Sequence, residues 1–185
     1  MARRSQPSPI APDRALLDSW STNERVTQYM LEHLDEEVWR AEPPRGEGRT
    51  VAAIAAHIHN VRRMLLVMHG KGKKIAIPGK LDRHRATSVQ VRAALVKSAE
   101  AVSKLLESAL ASGGRVPGRA GGVAGLFTGL VAHEAHHRGQ ICMLARQLGF
   151  PLPAPAHLGM WDWNKRWREA NRRRKPRSRA PGESR

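Results

Sequence analysis

The sequence predicts an all-α protein, a four-helix bundle, from three observations. Apolar residues recur at three- to four-residue spacing in four long segments, which is the period of an amphipathic helix. Stretches rich in proline and glycine separate these segments, as at 42–46 and 113–122. No segment shows the alternation of a convincing β-strand, and no internal repeat is present. Four such helices predict a bundle with any functional site built inside it.

The first helix is predicted to begin at Pro12 and Asp13 and to run to about His33. Proline is tolerated in the first turn of a helix, and an acidic side chain favours its positive end. The second helix is predicted over 51–69, with Thr50 as its N-cap. Its predicted apolar stripe consists of Ile54, Ile58, Val61, Leu65 and Met68.

Two histidines of the second helix are predicted to point in different directions. His57 lies on the edge of the apolar stripe, whereas His59 falls with Arg62 and Arg63 on a face that the pattern predicts to be more exposed. Spacing therefore predicts that His57, and not His59, faces inward.

The third and fourth helices complete the predicted bundle. Thr87 or Ser88 suits the N-cap of the third helix. The fourth is predicted over 123–148, with Gly149 as its C-cap. The buried face of the third helix is predicted to contain Val91, Leu95, Val102, Leu105, Leu106 and Ala109.

The fourth helix carries a block of three histidines, His133, His136 and His137. Side chains four residues apart share one face, so His133 and His137 both point toward the apolar stripe, while His136 lies about 100° from its neighbour. Imidazole nitrogen binds Zn, Ni and related metals. With His57, the pair predicts a three-histidine metal site whose open position would bind water and lower its pKa. Alternatively, these histidines hydrogen-bond within the core or line a wet crevice.

The same block matches the His-Glu-x-x-His pattern of zinc peptidases at His133, Glu134 and His137. In those enzymes the glutamate is the general base. The longer form of the pattern needs glycine and histidine where this chain has Gln140 and Met143. No strand precedes the helix to bind a peptide substrate, so the sequence disfavours a peptidase.

Charge divides the chain into a predicted domain and two flanking segments. Residues 1–12 are predicted to form a disordered leader, 13–170 the bundle, and 171–185 a disordered basic tail. The formal net charge is +16, and the tail holds seven basic residues against one acidic residue. This balance favours anionic partners, including nucleic acid through the tail and the loop at 71–85, although a Lys/Arg-rich proteome would produce the same composition.

Other features indicate location and assembly. The single cysteine, Cys142, fits a reducing compartment. Neither a signal sequence nor a membrane-spanning segment is apparent. Together these features predict a cytoplasmic protein without a membrane partner. Gly125 and Gly129 are predicted to let another helix approach closely, within the subunit or across a dimer. Three tryptophans within 160–167 predict a short helix laid over the bundle or a subunit interface.

Four segments of the chain resemble the DinB/YfiT-like superfamily. The His-x-x-His-His-Arg-Gly-Gln block at 133–140 is the most specific of them, and the others lie at 48–62, 77–83 and 160–163. The resemblance implies an up-down-down-up four-helix bundle, commonly a homodimer, with a metal such as Zn or Ni held by three histidines. By motif position, these are His57, His133 and His137.

The resemblance also implies a class of chemistry. Some relatives are metal-dependent thiol S-transferases or isomerases that use a small cytoplasmic thiol, while membership does not imply DNA binding. In a metalloenzyme of this kind the metal would polarise a thiol or water. Glu134 and Arg138 are then the catalytic candidates. Together with His136 and Gln140, they would orient the metal ligands or the substrate. Arg138 would also attract an anionic substrate group.

Two alternatives remain open from the sequence. One is a binding module that contacts nucleic acid through the basic tail. The other is a helical bundle whose metal is structural or whose site is vestigial.

Overall fold

The computed structural model describes residues 11–172, in which six α-helices are present and no strand occurs. The prediction of an all-α protein is thereby confirmed. The first ten residues of the predicted leader, and the predicted basic tail from 173 onward, lie outside the described residues. The helices are α1 (Pro12–Glu32), α2 (Val51–His69), α3 (Ser88–Ala111), α4 (Gly122–Gln147), α5 (Ala154–Gly159) and α6 (Trp163–Asn171).

Local sequence determines where α2 and α3 begin. The Thr50 side chain accepts a hydrogen bond from the amide of Ala53, as predicted for an N-cap. Thr87, rather than Ser88, caps α3, and it does so in a capping box. Its side chain accepts from the amide of Gln90, whose side chain in turn accepts from the amide of Thr87.

The C-terminus of α4 is closed by a Schellman motif. Gly149 adopts a positive φ of 87°, which costs glycine little. Its amide donates to the carbonyl of Arg146, and the amide of Phe150 donates to the carbonyl of Ala145. The prediction that Gly149 ends this helix is therefore confirmed.

The four long helices pack around two apolar clusters. α1 contacts α3 and α4, and α2 contacts the same two helices. One cluster includes Met30, Ile58 and Ile141, and the other includes Trp20, Leu66 and Leu130. Between the two clusters, α1, α2 and α4 bury the polar side chains of Asn23, Arg62 and Glu134. All six residues predicted for the buried face of α3 are buried.

The prediction of which α2 side chains are buried is wrong for the second half of the helix. Met68 is 62 % exposed, whereas Arg62 and Leu66 are fully buried. Small side chains dominate the first half of the buried face, so this face carries a weak apolar signal. The charge of Arg62 is compensated by partners on other helices, which the periodicity of α2 does not reveal.

His59 is also buried, contrary to the prediction that it lies on a more exposed face. Its ring nitrogens lie 3.0 Å from the carbonyl oxygen of Ala94 and 2.9 Å from that of Gly79. These contacts connect α3 to the loop after α2. Burial lowers the pKa of His59, although the two carbonyl contacts act in the opposite direction.

Gly125 and Gly129 admit a loop of the same chain rather than another helix. A Cβ added at Gly125 would meet the carbonyl of Ala120, and one at Gly129 would meet the guanidinium of Arg119. Within this chain, the prediction of a close helix–helix approach is therefore wrong. An approach across a dimer stays a prediction.

The C-terminal helix α6 lies over α1, as predicted for a short helix laid over the others. Arg166 is buried between them, with its guanidinium 3.7 Å from the centre of the Tyr29 ring. α6 runs to Asn171, so the predicted start of the tail at 171 is still helical. Within residues 11–172, no helix is both long and apolar enough to cross a membrane.

Candidate metal centre

Three histidines from two helices converge at one point. The Nε2 atom of His133 lies 3.3 Å from Nε2 of His57 and 3.1 Å from Nε2 of His137. One ligand atom from each ring lies within 4.8 Å of the other two. His133 and His137 lie one turn apart on α4, and the contact of α4 with α2 places His57 opposite them.

The two distances from Nε2 of His133, 3.3 Å and 3.1 Å, fit a shared metal ion. Nitrogens about 2.0–2.1 Å from a tetrahedral zinc lie about 3.3 Å from one another. Two neighbouring imidazole nitrogens can share one proton, but three that converge cannot all be satisfied in this way. The donor set therefore suits a cation that accepts imidazole nitrogen.

Gln140 fixes the orientation of His137. The Nδ1–H group of His137 donates to the side-chain oxygen of Gln140 at 2.7 Å, which leaves the Nε2 lone pair directed at the other two histidines. Gln140 was among the residues predicted to orient the ligands, and its position agrees with that role. The Nδ1 atom of His133 is buried and has no hydrogen-bond partner among residues 11–172.

The surroundings favour the neutral form of all three rings. Loss of hydration lowers the pKa of His57 to about 4, and the nearby His137 and Arg49 contribute in the same direction. Burial also lowers the pKa values of His133 and His137. Neutral imidazoles have a free lone pair, so the three rings are ready to bind a metal at neutral pH.

The histidines open into a cleft of about 870 Å³. Three segments form its walls, the loop before α2, the first half of α2 and the C-terminal half of α4. His136, which is exposed, contributes its ring to the wall, with its centre 5.0 Å from that of His137, but it does not join the converging group. The other lining residues include Glu47, Arg49, Ile54, Gln140, Met143 and Leu144.

The sequence model of the DinB superfamily matches residues 19–141, which is more than half of the chain and includes all three converging histidines. The chain belongs to the DinB superfamily. The resemblance to this superfamily is thereby confirmed, and the match covers three of the four segments that carried it, since 160–163 lies beyond residue 141. A search of curated proteins finds no match to this chain.

In this DinB-superfamily chain, Glu134 lies on α4 next to His133 in sequence, but it does not line the cleft. It is fully buried, and both of its carboxylate oxygens accept hydrogen bonds from Arg62 at 2.7 Å. Asn23 donates a third, also at 2.7 Å. Arg62 lies 2.6 Å from Glu24 as well. Sequence reasoning missed Arg62, because only the acids on α1 and α4 explain why it is buried.

Arg138 is also turned away from the cleft. Its guanidinium donates to the side chains of Asn23 and Thr27 at 3.0 Å each, and thus connects α4 to α1. Burial lowers the pKa of Arg138. A direct catalytic role for Glu134 or Arg138 stays a prediction, but both side chains have the partners expected of groups that hold α4 in place.

We expect the histidines of this DinB protein to make the metal-free fold sensitive to acid. The pKa of His57 is lower in the folded state than in the unfolded chain, so the unfolded state binds the additional proton as pH falls from about 6.5 to about 4. The stability of the metal-free protein should therefore decrease over this window. Urea unfolding at several pH values measures the effect.

The variant His57→Asn provides the control for this pH dependence. Its stability should fall less steeply below pH 6.5 than that of the wild type. The comparison is needed because burial raises the pKa of Glu24, which gives a contribution of opposite sign. Equal slopes for the two proteins would contradict the assignment to His57.

Proposed function

We propose that this chain is a metal-dependent enzyme in which His57, His133 and His137 hold a divalent transition metal, Zn or Ni. The single observation that carries the proposal is the convergence of three Nε2 atoms on one point beside an open cleft. A structural zinc site has its positions filled by protein side chains, whereas a catalytic site keeps one open. Three histidines facing a cleft correspond to the second arrangement.

The proposed reaction is the transfer of a small thiol, as the family resemblance implies. A bound divalent metal would supply Lewis acidity, favouring loss of a proton from a thiol or water near neutral pH. Gln140 holds the His137 ring in the tautomer that such a site needs. Ile54 and Leu144 give the cleft apolar walls beside the histidines, where a substrate displaces water.

We propose an up-down-down-up four-helix bundle spanning residues 13–170, a homodimer, and a cytoplasmic location. The packing of α1 and α2 against both α3 and α4 supports the bundle. Trp161, which is 79 % exposed, and the half-exposed Trp163 and Trp167 offer an apolar surface that a second copy would cover.

An assay with small thiols tests the reaction class. Protein loaded with Zn²⁺ or Ni²⁺ is mixed with 2-mercaptoethanol and a chromogenic electrophile, and product formation is followed by absorbance. We expect turnover with the loaded wild type and none above background with His137→Ala. Equal rates for loaded and metal-free wild type would contradict a metal-dependent thiol transferase.

The described residues do not test the nucleic-acid alternative. Its principal element, the basic tail, lies outside them from 173 onward. Contact through the tail therefore stays a prediction, and its test is whether removing 171–185 changes affinity and salt dependence.

A further inference from the structure

Arg49 presents an unpaired positive charge to the cleft. It directly precedes Thr50, the N-cap of α2, and its side chain lines the same cleft as His57 and His137. The guanidinium makes no hydrogen bond and no ion pair with residues 11–172, and the residue is exposed. Most other charged groups near the histidines, including Arg62 and Glu134, already have partners.

The field of Arg49 reaches the metal-binding atoms. The guanidinium lines the same cleft as His57 and His137, so its charge acts on both rings. Arg83, on the loop after α2, makes a smaller contribution at His57 and does not line this cleft. The N-terminus of α2, which is the positive end of the helix dipole, lies next to Arg49 and adds to this field.

One carboxylate opposes this positive field. Glu47 lines the cleft, but no ion pair joins it to Arg49. At the cleft itself, Arg49 and the N-terminus of α2 therefore act against one acid, even without a bound cation. A ligand with a negative group is attracted to this side of the histidines, whereas a cationic ligand is disfavoured.

We propose that the substrate of this centre carries an oxyanion group, a carboxylate or phosphate, which Arg49 binds while the reacting group faces the histidines. The inference rests on the proposed metal-dependent function. Guanidinium matches an oxyanion in shape and charge, because it donates two parallel N–H groups. Sequence reasoning assigned this attraction to Arg138, whose guanidinium instead faces α1.

Two thiols of similar size test the proposal. Mercaptoacetate carries a carboxylate, and 2-mercaptoethanol is neutral. Each is titrated into Co²⁺-loaded protein, and binding is read from the visible spectrum of the metal. We expect the wild type to bind mercaptoacetate more tightly. Arg49→Gln should weaken mercaptoacetate binding about 3- to 10-fold and weaken 2-mercaptoethanol binding less, because the metal-bound sulfur is the only negative group of that ligand.

Matched variants separate a specific contact from a general charge effect. Arg45→Gln removes an exposed arginine of the same loop that does not line the cleft, and it should leave the preference intact. Arg49→Lys should retain part of it. The preference of the wild type should also shrink as salt rises from about 0.01 M to about 1 M.

The outcomes distinguish this inference from the proposed function. If Arg49→Gln and the wild type prefer mercaptoacetate equally, the role of Arg49 is overturned and the metal centre stands. If the wild type gives no cobalt spectrum after loading, the metal-dependent function is overturned, and the inference with it.

Discussion

Glu134→Ala is expected to destabilise the metal-free fold by about 3 kcal/mol, the lower end of the range for breaking a buried ion pair. The substitution removes a carboxylate that accepts two hydrogen bonds from Arg62 and one from Asn23, all at 2.7 Å. Arg62 is fully buried and would lose its principal counter-charge. Glu24, 2.6 Å from Arg62, remains as a partial partner, which keeps the cost near this lower end. Urea unfolding followed by circular dichroism measures the change.

A double-mutant cycle tests whether the loss comes from the ion pair. Arg62→Met combined with Glu134→Ala should cost less than the sum of the two single changes, because neither buried charge of the pair is left without its partner. Glu100→Ala, which removes an exposed acid of α3 that forms no ion pair within residues 11–172, should change stability by less than about 0.5 kcal/mol. A Glu134→Ala loss equally small would contradict the proposed role of the pair in holding α2 against α4.

The second large effect is expected from the metal ligands. A metal that binds only the folded protein stabilises it by about 4 kcal/mol at a free concentration of about 1,000 Kd. Zn²⁺ should therefore raise the melting temperature of the wild type, and this rise should disappear in His57→Ala, His133→Ala and His137→Ala. Each of these variants lacks one of the three converging nitrogens. Differential scanning calorimetry with and without Zn²⁺ measures the rise.

His136→Ala is the matched control for the ligand variants. It removes an exposed histidine from the same turn of α4, and it should keep the full Zn²⁺-dependent rise. A rise lost in His136→Ala but retained in His133→Ala would assign the metal to a different set of side chains.

Local signals in the sequence predicted the helix ends and the shared face of two of the converging histidines. Thr50 and Gly149 act through their immediate neighbours, so their roles are visible in a short stretch of sequence. His133 and His137 share a face because of the helical period alone. His57 was assigned correctly to the converging group, although the prediction that His59 lies on the exposed side was wrong.

The features that were missed depend on contacts between distant parts of the chain. Arg62 is buried because acids on α1 and α4 surround it, and a charged residue within α2 gives no sign of those partners. Arg49 belongs to a loop without periodicity, and only the folded protein places it beside His57 and His137. Arg138 adjoins a ligand in sequence, but helical phase turns it toward α1, so proximity to the motif was misleading.

The coordination of the bound metal shows most directly whether His57, His133 and His137 form a metal centre. X-ray absorption spectroscopy of the Zn²⁺-loaded wild type should show three imidazole nitrogens at about 2.0–2.1 Å and one further light ligand. The same measurement on His57→Ala should show one imidazole fewer or no bound zinc. A wild type that holds no zinc after loading, or one whose zinc has fewer than three imidazole ligands, would contradict a centre formed by His57, His133 and His137.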